Sequence, residues 1–338
     1  MNSPSHRNSS AGPGQNGPRR SSSLLRAADL HDFVPRDVRG VLQEAMARLR
    51  AAGVASHTLA AELLLMHALG RDRAWIYSHP EAPVDQLVAQ KCFALVECRA
   101  AGQPTQYIVG KQEFWGLEFE VTPAVLIPRP ETEHVVEVAL ERLDARGIQI
   151  RLDTGEPSAP LRFADVGTGS GCLAVALARE LPHARIVATD LSAPALEIAR
   201  RNATRHGLAD RIDFVQADLL SSLPDSSPAT GHSSLTFDMI VSNPPYVARD
   251  QVETLEREVR DHEPDTALFG GATGNEIYPR LVDQAGSLLR LKGILVLELG
   301  YHSARPVRGL LTSDPRWANI SITNDLAGIP RVIAAERV

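Results

Sequence analysis

Leu161-Arg162-Phe163-Ala164-Asp165-Val166-Gly167-Thr168-Gly169-Ser170-Gly171 is the stretch from which the fold follows. Its first six residues read as a buried strand, and the glycines then turn the chain into a helix that opens at Cys172. A strand, a glycine turn and a helix in this order place backbone N–H groups and a closely approachable main chain at the strand's carboxyl end. A dinucleotide fingerprint needs G-x-G-x-x-G. Here Cys172 stands where the third glycine would be, so the spacing disfavours a nicotinamide oxidoreductase. Asp165, two residues before the first glycine, would repel a pyrophosphate and favours a cationic sulfonium carrying an α-amino group.

Three further strands end in polar residues. Residues 184–189 close on Asp190, whose carboxylate suits both hydroxyls of a ribose, each charge-assisted bond contributing about 1.5–3 kcal/mol. A dehydrogenase carries an acid there too, so Asp190 alone separates nothing. Residues 212–216 lead to Asp218 and Leu219, suited to the amino group and face of an adenine. Residues 237–241 run into Ser242-Asn243-Pro244-Pro245-Tyr246. Two prolines stop both a ladder and a helix, because neither nitrogen donates and each ring fixes φ at about −65°. The turn therefore offers the Asn243 carboxamide and the Asn243 and Pro244 carbonyls, with Tyr246 expected to stack on a planar group held there. Such a set fits an amide or exocyclic amine whose nitrogen must face an electrophile. In a doubly wound sheet these four ends line one edge, where ligands bind. Together they imply S-adenosylmethionine as cofactor and a methyl acceptor at Asn243.

Later segments complete a seven-stranded, Rossmann-like α/β sheet: a helix over 274–290, a strand at 294–299, a helix near 306–311, and closing strands at 320–324 and 332–336. Upstream, residues 1–34 are rich in Ser, Gly, Pro, Asn and Arg and carry no apolar periodicity, which predicts a disordered tail. Four arginines precede its first acid, Asp29, but Pro and Gly oppose the amphipathic helix of a transit peptide, so a cytoplasmic protein is expected. From Pro35 to residue 103 three helices are predicted. The first carries Val38, Val41, Leu42, Ala45 and Leu49, the second opens at a Ser56 cap, and the third runs from Pro83 and buries Val84, Leu87, Val88, Leu95 and Val96. His67 falls on the apolar face of the second as a core or boundary residue. Residues 104–130 read as a β-hairpin bridge, its two strands lying before Gly110 and over 117–121. The remaining domain, 131–338, opens with a helix that Thr132 is expected to cap. A Ser/Pro-rich loop at 221–236 interrupts it.

The 338 residues carry 35 Lys and Arg against 41 Asp and Glu, a net charge of −6, which argues against a broad nucleic-acid-binding face. Cys92, Cys98 and Cys172 lack metal or disulfide spacing, and no apolar run approaches membrane-spanning length. No metal, no membrane and a monomer are expected.

The chain resembles the release-factor glutamine methyltransferases of the HemK/PrmC type from about Val38 to its end. The likeness is carried by Pro104-Thr105-Gln106-Tyr107-Ile108-Val109-Gly110, Glu113-Phe114-Trp115-Gly116, Ile127-Pro128-Arg129-Pro130-Glu131-Thr132-Glu133, residues 165–171 and Asn243-Pro244-Pro245-Tyr246. The resemblance implies methylation of the side-chain amide nitrogen, N5, of the glutamine in the Gly-Gly-Gln loop of class 1 peptide chain release factors. It implies that the helical front domain helps to hold that partner. Asp165, Gly167, Thr168, Gly169, Ser170, Gly171, Asp190, Asp218, Leu219 and Asn243 are expected at the cofactor; Asn243, Pro244, Pro245, Tyr246, Arg129 and Glu131 are expected at the substrate. Leu219 stands where the family often has an aromatic. The competing enzyme is an adenine-N6 methyltransferase, since Asn-Pro-Pro-Tyr serves the exocyclic amine of a flipped base equally well. It would need a basic channel that the charge balance does not supply.

Overall fold

The computed structural model describes residues 36–146, 161–221, 223 and 236–338. The 1–34 tail and nearly all of the 221–236 loop lie outside the described residues.

Side-chain caps and apolar stripes build the front helices. β1 (Arg36–Asp37) leads into α1 (Val38–Ala51), where the Asp37 carboxylate accepts from the Gly40 N–H at 2.7 Å. Val38, Val41, Ala45 and Leu49 are its buried stripe. α2 (His57–Leu69) ends on Gly70 at φ 63°, a left-handed position that carries no Cβ penalty in glycine. α3 (Arg73–Ser78), capped by Asp72, is too short for periodicity to predict. β2 (Pro83–Val84) pairs with β1, and α4 (Gln86–Ala100) starts from an Asp85 cap rather than at Pro83. Ser56 occupies the N-cap position of α2, yet its side chain makes no capping bond. Leu87, expected in the core, is 75% exposed, because the helix phase that buries Ala89, Cys92 and Val96 turns it outward. His67 is half-buried, at the boundary of the bundle.

The strand expected before Gly110 is instead α5 (Thr105–Val109), which Gly110 ends at φ 77°. The hairpin is β3 (Lys111–Phe114) with β4 (Leu117–Glu120). Trp115 and Gly116 both have positive φ, 54° and 65°, giving the two-residue turn whose twist matches its strands. A short 3-10 turn, Pro130–Thr132, then opens α6 (Glu133–Asp144).

The catalytic-size domain alternates strand and helix through β5 (Arg162–Val166), α7 (Cys172–Glu180), β6 (Arg185–Asp190), α8 (Ala193–Arg205), β7 (Ile212–Gln216) and β8 (Phe237–Ser242). A short unit not foreseen in the sequence follows: β9 (Val247–Ala248), α9 (Arg257–His262), α10 (Asp265–Leu268) and β10 (Phe269–Gly271). Then come α11 (Ile277–Leu288), β11 (Leu289–Glu298), α12 (Ala304–Ser313), β12 (Trp317–Asn324) and β13 (Pro330–Arg337).

Seven strands form one sheet in the order β12-β13-β11-β8-β5-β6-β7, with β13 antiparallel to both neighbours and β11, β8, β5, β6 and β7 mutually parallel. All six residues of β8 are buried, as a central parallel strand covered on both faces requires. Phe163, Met239, Val241, Ile294 and Val296 pack on the α7 side; Ala164, Val166, Ile240, Leu295 and Leu297 pack on the α11 side. The strand order reverses between β5 and β8, whose last residues, Val166 and Ser242, are register partners. That switch point sets the glycine turn beside the Asn-Pro-Pro-Tyr turn.

Candidate active site

Three left-handed glycines shape the turn after β5: Gly167 at φ 73°, Gly169 at 54° and Gly171 at 82°. The Gly167 and Thr168 N–H groups both donate to the Thr189 carbonyl, at 2.9 and 2.8 Å, which locks the turn to the end of β6. A Cβ at Gly167 or Gly169 would meet nothing within 4 Å, so the space beside them is open to a ligand. Gly171 does a different job: its Cβ would press on Ala199 of α8 at 3.1 Å, so it allows α7 and α8 to pack closely.

Two carboxylates frame this turn. Asp190 accepts from the Gly169 N–H and the Ser192 N–H, both at 2.9 Å; burial raises its pKa and those backbone donors oppose the rise. Asp165 is fully buried. One oxygen accepts from Thr168 Oγ1 at 2.6 Å and from the Ala174 N–H at 3.1 Å. Its other oxygen, Oδ1, has no hydrogen-bond partner among the described residues. Burial pushes this carboxyl up to about 7, against the two hydrogen bonds and with the help of nearby Asp190.

A cavity opens over these groups. Gly167, Thr168, Gly169, Ser170, Asp190, Asp218, Leu219, Asn243, Pro245 and Arg129 all line it, with an apolar wall from Leu126, Leu173, Ala195 and Ile277. Five residues expected at the ligands do not line it: Asp165, Gly171, Pro244, Tyr246 and Glu131. Asp165 lies beneath the turn, Pro244 is buried, and Glu131 is exposed on the 3-10 turn. Asp218 pairs with Arg280 at 2.6 Å, and Leu219 reaches the cavity from a left-handed backbone at φ 58°. Arg129 crosses to Glu263, a buried carboxylate, at 2.6 Å. This pair ties the bridge to the segment after α9 at the cavity wall.

The Tyr246 expectation needs correction. Its hydroxyl donates to Glu298 Oε1 at 3.0 Å, and its ring lies against Gly300, where a Cβ would stand 2.9 Å from the ring. The side chain is thereby held against Glu298 and Gly300 and does not line the cavity. Thr132 is corrected as well. It makes no capping bond for α6 but donates to Glu298 Oε2 at 2.7 Å and accepts from Asn243 Nδ2 at 3.0 Å. Asn243, half-buried at the cavity, thus commits its NH2 end inward. Thr132 and Glu298 are the site residues that sequence reasoning missed. Glu298 had a signal: it is the single acid in the apolar run of β11 and lies at that strand's carboxyl end, as Asp190 does on β6.

The donor set suits S-adenosylmethionine, the implied cofactor. Asp190 offers a ribose acceptor, the open glycine turn offers main chain, the buried Asp165 oxygen lacks a partner, and the flanking wall is apolar. These features fit a cationic adenosyl compound. Among the described residues, no group of three or more His, Cys, Asp or Glu side chains could hold a metal ion, and no helix is long and apolar enough to cross a membrane.

Residues 40–110 match the family described as the PrmC N-terminal domain, and residues 142–260 match the Methyltransferase small domain. The Release factor glutamine methyltransferase of Koribacter versatilis (strain Ellin345) is 40% identical over 301 residues, which is 87% of this chain and 96% of that protein. Its namesake in Nitratidesulfovibrio vulgaris is 41% identical over 301 residues, 89% of this chain and 95% of that protein. Another, from Chlorobaculum tepidum, is 45% identical over 273 residues, 81% and 88% of the two chains.

Proposed function

Because the chain belongs to the release factor glutamine methyltransferase family and is an S-adenosylmethionine-dependent methyltransferase, we propose that it methylates N5 of the glutamine in the Gly-Gly-Gln loop of class 1 peptide chain release factors. The observation that carries this reading is the placement of Asn243. It stands at the end of β8 beside the glycine turn of β5, with its NH2 already donated to Thr132. Its Oδ1 is therefore left to accept from an amide N–H in the cavity.

The cofactor supplies an electrophilic methyl on a sulfonium, and the chain supplies orientation and charge. Asp190 would take the ribose hydroxyls, and Leu219 and Asp218 the adenine, while Asp165 backs the glycine turn from below. Asn243 Oδ1 would accept from the glutamine amide in the cavity and so present its nitrogen for methyl transfer. An amide nitrogen is a poor nucleophile, so positioning in line is the main contribution, and the surplus proton leaves after transfer. The helical bundle and the bridge hold the release factor. Support comes from the match of residues 40–110 to the PrmC N-terminal domain and from the Arg99–Glu258 pair, at 2.8 Å, that ties the bundle to α9.

Asn243→Ala tests the reading. Single-turnover methylation of a purified class 1 release factor should fall by about 10²–10³, the cost of removing one preorganised polar contact. Cofactor affinity, read by calorimetry, should stay within roughly tenfold. Wild-type turnover in this variant would sink the assignment of Asn243.

A further inference from the structure

We propose that Glu298 and Thr132 are positioning residues that decide which end of the Asn243 carboxamide faces the cavity. The inference rests on the reading of Asn243 as acceptor for the substrate amide. A carboxamide presents a donor at one end and acceptors at the other, and only its hydrogen-bond partners distinguish them. The partner here is Thr132, whose hydroxyl has one hydrogen. An ionised Glu298 takes that hydrogen on Oε2 and the Tyr246 hydrogen on Oε1. Thr132 then offers Asn243 only lone pairs, so the NH2 end turns inward and Oδ1 faces the cavity.

Protonation of Glu298 on Oε2, the oxygen that faces Thr132, reverses the chain of donors. The carboxyl now holds a hydrogen of its own and can give it to Thr132. The Thr132 hydrogen is redirected to Asn243, which must present Oδ1 inward and swing its NH2 into the cavity. A substrate amide N–H would then meet another donor. The aligned state thus needs Glu298 Oε2 without a proton.

The surroundings place this equilibrium near neutral pH. Glu298 is wholly buried, and burial pushes its carboxyl up from 4.5 to about 7 against the Thr132 and Tyr246 hydrogen bonds. Arg331 of β13, itself paired with Asp325, favours the ionised form, and Glu131 of the 3-10 turn opposes it. Cys172 of α7 and Tyr278 of α11 also face it, the latter donating to the Glu298 carbonyl at 3.0 Å. Gly300, against the Tyr246 ring, keeps the tyrosine within reach.

The test uses full-length wild type, Glu298→Gln, Thr132→Val and Thr132→Ser. The first readout is single-turnover methylation of a purified class 1 release factor from about pH 5.5 to 9, across the neutral range where the buried carboxyl titrates. The second is cofactor affinity. The third is the side-chain amide resonance of Asn243 in ¹⁵N NMR, identified by its loss in Asn243→Ala. Wild-type rate should fall as pH drops through about 7, and the Asn243 amide resonance should shift with the same midpoint. Glu298→Gln and Thr132→Val should lose roughly 10–10²-fold in rate, less than removal of the contact itself, with cofactor affinity within about tenfold. Both should lose the neutral midpoint in the amide resonance. Thr132→Ser, which keeps the hydroxyl, should restore the midpoint and most of the rate. A pH-independent Asn243 resonance in wild type, or wild-type rates in both Glu298→Gln and Thr132→Val, would overturn the proposal. If the resonance titrates as stated but no methyl reaches a release factor, the positioning device stands and the substrate reading falls.

Discussion

Asn243 and Asp190 are legible in the sequence because each closes a strand in a parallel sheet, and the carboxyl ends of such strands meet at one edge. Thr132 and Glu298 are not legible in the same way, since their hydrogen bond joins positions 166 residues apart. Local pattern gives Thr132 a helix cap, and only tertiary structure gives it a carboxylate instead. Tyr246 shows the same limit: its aromatic ring suggests stacking, but a buried acceptor claims its hydroxyl. Asp165 supports a prediction at this scale. Its carboxyl rises from 3.8 in ordinary surroundings to about 7 in the fold, chiefly through burial. Between those values the folded protein holds a proton that the unfolded chain has released. Raising the pH therefore disfavours folding: the contribution is fully present below about 3.8 and is lost as pH rises through about 7. Asp165→Asn removes the titration. Urea unfolding of the cofactor-free protein should show a shallower loss of stability between pH 4.5 and 7 in this variant than in wild type, across the window of the cited shift. Equal slopes would contradict the buried, proton-holding state.

Among the elements, the seven strands of the sheet follow from apolar runs and turn residues, whereas the small unit from β9 to β10 does not. Its strands have two and three residues, too few to show alternation. Yet this unit sets the Asn-Pro-Pro-Tyr turn in place. A Cβ at Gly270 would overlap the Pro245 carbonyl, and one at Gly274 would overlap the Tyr246 carbonyl. The turn, having given up its own hydrogen-bonding nitrogens to proline, is held by close backbone packing. Gly274 also has φ 79°. Gly274→Ala should therefore combine left-handed strain, about 1–2 kcal/mol, with displacement of the turn. Gly328, at φ 78°, has nothing within 4 Å of its Cβ position and gives the comparison with strain alone. Methylation should fall at least about tenfold in Gly274→Ala, the loss expected when reacting groups shift by a fraction of an ångström, and hardly at all in Gly328→Ala. Melting temperature should drop more in the former. Equal behaviour of the two variants would show that the clamp does not hold the turn. The hairpin teaches a related lesson. Its turn is Trp115-Gly116, and the residues before Gly110, apolar and β-branched enough to suggest a strand, complete a helix because Gly110 caps it.

In the whole molecule, ion pairs and hydrogen bonds join the front bundle and bridge to the sheet domain, among them Arg99 with Glu258, Arg129 with Glu263, and the Trp115 indole N–H donating to Glu180 at 2.9 Å. Arg99 is buried, so its ion pair is shielded from the water and salt that weaken exposed pairs. None of these pairings follows from one-dimensional pattern, because long-range charge partners leave no periodic trace. The domain order and the sheet do. A flipped base would enter the same cavity, so the chemistry of the acceptor is the decisive question. The direct measurement is to offer labelled S-adenosylmethionine in parallel to a purified class 1 release factor, duplex DNA and RNA, then to locate the label by fragmentation mass spectrometry. One methyl on the side-chain nitrogen of the Gly-Gly-Gln glutamine, with nucleic acids unlabelled, is the predicted result. Label on adenine, or on a release-factor residue other than that glutamine, would contradict it.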